Sequence, residues 1–307
     1  MNRPFSFQAE RISRLFHSFN VAAAAMLGLV ILLVVYISIR YRRRGNDSGE
    51  GAQVTGNNLL EALMIGLPAI LLAGFFFASL AAQRAIAPPI GPDLKPDVII
   101  TGHQWWWEAD YPQAKVITAN EVHLPVGRRL LMEMRSADVI HDWWVPELGN
   151  KTDLVPGTSN YLWLTINKPG LYIGACSEFC GAQHAWMRIK VVGENEKAFN
   201  GWLAANARTA LPPADSLAVR GAALFQAKTC ASCHRIGGTP AVAKVGPDLT
   251  HVGSRNYLLT GMLSTSEANL MAWISHPQQI KPGAWMPDFI LSRDSVKAIA
   301  HYLESLK

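Results

Sequence analysis

The chain has 307 residues, of which 50% are hydrophobic and 17% charged, and its net charge is +5. That is too apolar for an ordinary soluble protein and too polar for a pure membrane bundle, and ten tryptophans exclude a disordered chain. Residues 1–87 hold 8 basic and 4 acidic side chains, leaving 20 and 19 for the rest; a net +1 on this larger, polar part excludes the concentrated basic face of a nucleic-acid binder.

Two uncharged runs come first, residues 21–39 and 63–82. Each reaches the ~20 apolar residues that cross ~30 Å of hydrocarbon, so spans are predicted over about 18–40 and 61–83. No small-x-small cleavage site precedes Arg40, so the first span reads as an uncleaved anchor. Arg40, Arg42, Arg43 and Arg44 follow it directly. The positive-inside rule therefore puts the connecting loop in the cytoplasm and residues 88–307 on the periplasmic or outer side of the cell inner membrane. Arg3, Arg11 and Arg14 weaken that asymmetry without reversing it. Pro68 falls inside the second span, where it removes one helix bond. Glu61, at the cytoplasmic mouth of that span, reads either as a solvated cap or as a proton-uptake group.

Pro88, Pro89, Pro92 and Pro96 make a stiff linker. Short β-prone runs follow at 97–101, 116–124, 129–135, 161–166, 170–175 and 187–192, the pattern of a β-sandwich. Residues 197–208 look helical, a proline-rich boundary falls at 211–215, and 216–228 and 293–305 are helical again. The expected division is a transmembrane hairpin over 1–87, an all-β domain over 93–195, a linker over 196–215 and an all-α domain over 216–307.

The densest chemistry lies in Cys176-Ser177-Glu178-Phe179-Cys180-Gly181-Ala182-Gln183-His184-Ala185-Trp186-Met187. Thiolate, thioether and imidazole together are the donor set copper prefers. Two cysteines can bridge two copper ions, each ion then needing its own imidazole; His141 is the best second donor. A disulfide, a zinc site and one face of a helix are the other readings of this spacing. Gly181 and the strand-like flanks favour a loop, and a plain disulfide leaves His184 and Met187 unexplained. Further on, Cys230-Ala231-Ser232-Cys233-His234 is the C-x-x-C-H pattern of covalent haem c, with His234 as proximal iron ligand. Met286, in a proline-flanked loop, is the best sixth ligand, with Met262, Met271, His251 and His276 as rivals.

The 176–187 string resembles the binuclear CuA loop of cytochrome c oxidase subunit II, and the resemblance covers nearly all of residues 15–195. It includes Glu61 with Pro68, Gly102-His103-Gln104-Trp105-Trp106-Trp107, Asp138-Val139-Ile140-His141 and Val145-Pro146-Glu147-Leu148-Gly149-Asn150-Lys151-Thr152-Asp153. It implies a cupredoxin fold in which Cys176 and Cys180 bridge the coppers and His141 and His184 are terminal ligands. Met187 is then a weak axial ligand, Glu178 binds copper through its carbonyl, and the Glu178 side chain serves a magnesium ion shared with catalytic subunit I. It makes Trp105 the point where electrons reach the copper, against the plain reading of core packing. Thr158 departs from the family, which often carries Arg there. Residues 216–307 resemble a class I cytochrome c through Gly246-Pro247-Asp248-Leu249 and Met286-Pro287, so the whole resembles a caa-type haem–copper oxidase subunit.

The resemblance implies a one-electron relay from a soluble or membrane cytochrome c, through the chain's own haem, to CuA and on to subunit I, beside a subunit III, with oxygen reduced to water and protons translocated by the complex. Residues 93–193 carry 9 basic and 11 acidic side chains and 215–307 carry 9 and 6, a slight complementarity that favours docking of the two domains. The alternatives are the CuA subunit of a nitric oxide reductase-like complex and a copper-delivery or redox-sensing protein, the second disfavoured by the covalent haem.

Overall fold

A computed structural model of the protein describes residues 4–42, 56–88, 91 and 94–307. The two apolar runs form the helices α1 (Phe7–Arg40) and α2 (Asn58–Ile86), long and apolar enough to cross a membrane. None of the apolar stretch of either is buried within the chain, as expected of surface meant for lipid. Both outrun the predicted spans. In α1 the added turns carry Glu10 and Arg14, an i,i+4 pair at 3.6 Å that supports a solvated helix start. The side chain of Asn57 caps α2 by accepting from Leu60 N at 3.0 Å, and the helix runs on through Pro68. Arg3, Arg43, Arg44, Pro89 and Pro92 lie outside the described residues.

Residues 10–87 form one compact unit, and residues 1–9 with 88–307 form the other. In the second unit the expected sandwich is present. One sheet has the order β3-β2-β1-β5-β8, from β1 (Val98–His103), β2 (Trp106–Tyr111), β3 (Val116–Ala119), β5 (Leu130–Ser136) and β8 (Asn160–Leu164). The other has the order β4-β10-β9-β6-β7, from β4 (Glu121–Pro125), β6 (His141–Trp144), β7 (Thr152–Leu154), β9 (Gly170–Cys176) and β10 (Arg188–Glu194). Strict alternation of buried and half-buried residues along β1 gives the core its Val98 and Ile100, packed with Trp107, Met132, Met134 and Ile189.

The predicted strand over 116–124 is two strands. Asn120 stands at φ 67, a left-handed conformation asparagine tolerates, and its side chain and backbone both bond Trp107. The chain there steps from one sheet to the other. His141 begins β6: Asp138 accepts the Val139 amide at 2.6 Å in a turn that leaves Val139 and Ile140 exposed. The strands β2, β6 and β7 fall in segments whose alternation is masked by consecutive tryptophans or turn residues.

Residues 4–9 also belong to the sandwich. Phe5 N donates to Glu147 O at 2.9 Å, Asn167 N to Phe5 O at 2.8 Å, and Ser6 is fully buried. Beyond β10, α3 (Glu196–Asn206) lays Phe199 in the β core and stacks Trp202 on His123 at 4.2 Å between ring centroids. The all-α part holds α4 (Ser216–Ala227), α5 (Glu267–Ser275), the short α6 (Pro277–Ile280) and α7 (Arg293–Ser305) around a separate core of Phe225, Leu270, Ile299 and Tyr302.

Candidate functional site

One end of the sandwich collects the β1–β2 turn at 104–105, the β5–β6 turn and the long β9–β10 loop. Antiparallel pairing of β6 and β9 sets Trp143 opposite Cys176 and so draws His141 beside the first cysteine. Cys176 Sγ lies 3.9 Å from His141 Nδ1 and 3.7 Å from Cys180 Sγ, and Cys180 Sγ lies 3.7 Å from His184 Nδ1 and 3.8 Å from Met187 Sδ. The Glu178 carbonyl is 3.3 Å from Cys176 Sγ. All the donors predicted for the first centre thus converge, each sulfur with its own imidazole. His141 and Met187 are fully buried, whereas Phe179 and Trp186 at the loop's outer face are exposed.

The segment is a loop with one 3-10 turn over His184–Trp186, not a helix, and the 3.7 Å between the sulfurs is far beyond a disulfide bond. The contact between the two sulfurs pulls Cys176 well below the usual thiol range and pushes Cys180 above it, so without a metal one thiolate and one thiol are favoured over two thiolates. A soft cation replaces the thiol proton directly. Two thiolates and two imidazoles alone would complete a four-coordinate zinc site, but the buried Met187 thioether beside them is a fifth, soft donor, and the whole set in a dry pocket fits a pair of copper ions.

Two supporting residues carried no sequence signal of their own. Asp138 accepts from His141 Nε2 at 2.8 Å and from the Gln104 amide at 2.6 Å, fixing which ring nitrogen faces the sulfurs. The Cys180 carbonyl accepts from Gln104 Nε2 at 2.8 Å and from Trp105 Nε1 at 2.9 Å. Gly181 permits this approach: it stands at φ +110, and a Cβ there would come within 3.0 Å of the Trp105 ring.

On the far side of Trp105 lies a cavity of about 310 Å³. Cys230, Cys233, His234 and Met286 line it from the all-α side, and Trp105 and Trp106 close it from the β side. Met262, Met271, His251 and His276 are not among its lining residues; His251 instead bonds Arg208 O at 2.9 Å. His234 Nδ1 bonds the Pro247 carbonyl at 2.9 Å, which leaves Nε2 as the ligating atom, and burial lowers its pKa, favouring the neutral ring that binds iron. Arg255 also lines the cavity, and its buried Nε has no partner among the described residues, a cation suited to an acidic substituent of haem. The lining therefore fits haem c.

His103 stacks on Trp106 at 4.0 Å, and burial lowers its pKa to about 4, so it stands neutral beside the same cavity. Beyond the cavity the two domains meet through further contacts. Glu121 accepts from Tyr257 N at 2.7 Å, and Thr260 Oγ1 donates to Trp186 O at 2.6 Å. Glu108, Arg235, Lys244 and Asp248 line a small cleft there, with Arg235 paired to Asp248 at 3.5 Å. Glu61 lies in the first turn of α2, exposed.

Residues 115–194 match the family described as "Cytochrome C oxidase subunit II, periplasmic domain", and residues 218–307 match "Cytochrome c". The chain is 34% identical over 295 residues to a cytochrome c oxidase subunit 2 of Alkalihalophilus pseudofirmus, covering 94% of this chain and 85% of that one. It is 29% identical to the subunit 2 of Bacillus subtilis, covering 90% and 83%. It is 30% identical to that of Bacillus sp. PS3, covering 87% and 79%.

Proposed function

The chain belongs to the cytochrome c oxidase subunit II family, and from that premise we propose how its residues divide the work of carrying electrons into the oxidase. The subunit carries a CuA site that includes His141, Cys176, Cys180 and Met187, and a cytochrome c haem domain. Bound there, copper and haem supply one-electron exchange that makes and breaks no covalent bond. In our reading Cys176, Cys180, His141, His184, Met187 and the Glu178 carbonyl would hold the copper pair. Cys230 and Cys233 would attach the haem as thioethers, and His234 and Met286 would hold its iron. Trp105 spans the two ligand sets. Residues 93–195 and 216–307 act as the copper and haem modules, joined by 196–215 and anchored by 1–87.

One observation carries this reading. The Trp105 ring both walls the cavity and donates to the carbonyl of the bridging residue Cys180, and it is only 9% exposed. A donor from outside has no open face of Trp105 to meet, so electrons pass first through Cys230–Met286 chemistry. That donor is a soluble or membrane-bound cytochrome c. The exposed Glu178 carboxylate is free to reach a magnesium ion shared with catalytic subunit I, with subunit III completing the complex, and Glu61 serves proton uptake. We place the sandwich on the periplasmic or outer side of the plasma membrane, with the two long apolar helices as its anchor. Stopped-flow mixing of the purified oxidase with a reduced c-type cytochrome tests the order: haem c reduction is expected before that of CuA, with oxygen consumed. Reduction of CuA first, or consumption of nitric oxide in place of oxygen, would contradict it.

A further inference from the structure

Lys281 stands out in the contact between the two modules. It belongs to the loop that carries Met286, yet its side chain is 5% exposed, and its Nζ donates to the backbone carbonyl of Trp105 at 2.8 Å. It forms no ion pair among the described residues, so this carbonyl is the acceptor the structure provides for it. A buried ammonium without a carboxylate is costly and persists where a neighbouring arrangement depends on it.

The loop is also rigid. Gln278 Nε2 donates to Ala284 O and Met286 O, both at 2.7 Å, and Gln278 Oε1 accepts from Gly283 N at 3.0 Å. Movement of Lys281 is therefore movement of Met286. On the copper side, Gln183 Nε2 donates to Pro282 O, the residue next to Lys281, and Trp105 bonds Cys180. A chain of bonds thus runs from Met286 through Gln278 to Ala284, whose amide donates to Lys281 O at 3.1 Å, and from Lys281 Nζ through Trp105 to Cys180.

We propose that Lys281 is a positioning residue for electron transfer within the subunit: its ammonium clamps the Met286 loop to the Trp105 backbone and holds the haem ligand set at a fixed distance from the copper ligand set. The inference rests on the proposed relay. The exchange moves one electron, lost by one centre and gained by the other, with no proton or bond transferred. The charge has a second consequence. Burial brings Lys281 down to about 8, and its Nζ bonds the backbone of the same Trp105 whose ring bonds the Cys180 carbonyl, which places the ammonium one residue away from the copper ligands. A positive charge there favours the reduced form of the copper site.

The test uses the assembled oxidase with Lys281→Met, which removes bond and charge, and Lys281→Gln, which keeps a donor without the charge. The wild type first establishes that haem c oxidation feeds CuA; absence of that step would overturn the relay and this inference with it. In Lys281→Met, haem c reduction by the donor should be unchanged while passage from haem c to CuA slows roughly tenfold or more, the change one lost hydrogen bond to a charged group is worth. Lys281→Gln should remain within about threefold of wild type in rate, and the CuA reduction potential should fall in both variants. Wild-type passage in Lys281→Met with unchanged potential overturns the proposal. If Lys281→Met loses its haem or copper spectrum, Lys281→Gln decides: a rate near wild type with lowered potential supports the clamp, and a rate as slow as that of an unclamped loop, or an unmoved potential, overturns it.

Discussion

Asp138 shows how much of a metal site lies in residues that touch no metal. Its carboxylate accepts from His141 Nε2 and from two backbone amides, so the imidazole presents Nδ1 to Cys176 and cannot turn. Those bonds hold Asp138 below the usual carboxylate range although its burial alone would raise it. Asp138→Asn keeps the volume and weakens the acceptor; copper affinity is expected to fall by about 10–100-fold, read by competition with a copper chelator. Unchanged affinity would mean that His141 is oriented by packing alone. Trp105 makes the complementary point. Trp105→Phe preserves an aromatic wall for the cavity but deletes the donor to Cys180 O. Passage of electrons to CuA in the assembled oxidase should then slow by roughly tenfold, while donor oxidation by haem c stays as it was.

At the scale of elements, the strongly patterned ones were legible and those governed by a single residue were not. The α7 helix over 293–305 is an amphipathic run with Ser292 accepting from Ser295 N at its start, and it is read from sequence to the residue. The change of sheet at Asn120 and the start of β6 at His141 depend on one left-handed residue and one side-chain-capped turn, neither of which periodicity records. The donors of 176–187 and 230–234 stood out because their spacing is local; His141 and Met286 lie far from those motifs and were candidates chosen by their flanking residues, and the reach of Lys281 to Trp105 spans the chain and leaves no pattern. Packing of α4 on α7 supplies an element-scale prediction. Gly221 lets them meet, since a Cβ there would lie 2.0 Å from the Ala298 carbonyl. Gly221→Val should destabilise the haem domain by about 1–3 kcal/mol through forced separation of the helices, seen as a lower melting temperature of the haem band in the full protein. His301 of α7 bonds Asp215, the cap of α4, at 3.0 Å and Glu267, the first residue of α5, at 2.9 Å. The Asp215 and Glu267 carboxylates raise its pKa in the folded state. Its contribution to stability is therefore complete below the unfolded histidine value and disappears as pH rises through the folded value. The melting-temperature deficit of His301→Gln should be larger at about pH 5.5 than at about pH 8.5, and small at both because the group is exposed. A deficit that grows with pH would contradict that assignment.

Over the whole molecule, two metal-binding modules share one compact unit with residues 4–9, while the two long apolar helices, candidates for crossing a membrane, form their own. Fusing the haem module to the copper module replaces a diffusional encounter with a built contact, lined by Trp105, Lys281 and the Glu121–Tyr257 bond. The charge balance of the two modules is a weak attraction on its own, and these buried contacts are what give it a defined register. The account depends most on the convergence of Cys176, Cys180, His141, His184 and Met187 on a pair of coppers beside the haem cavity. Electron paramagnetic resonance of the intact, copper-replete protein, paired with its optical spectrum, tests this most directly. The account predicts a mixed-valence signal whose hyperfine structure is shared equally by two copper nuclei, alongside a c-type haem band, with the copper signal lost in Cys180→Ser. A signal from a single copper nucleus, or a copper signal that survives Cys180→Ser, would contradict it.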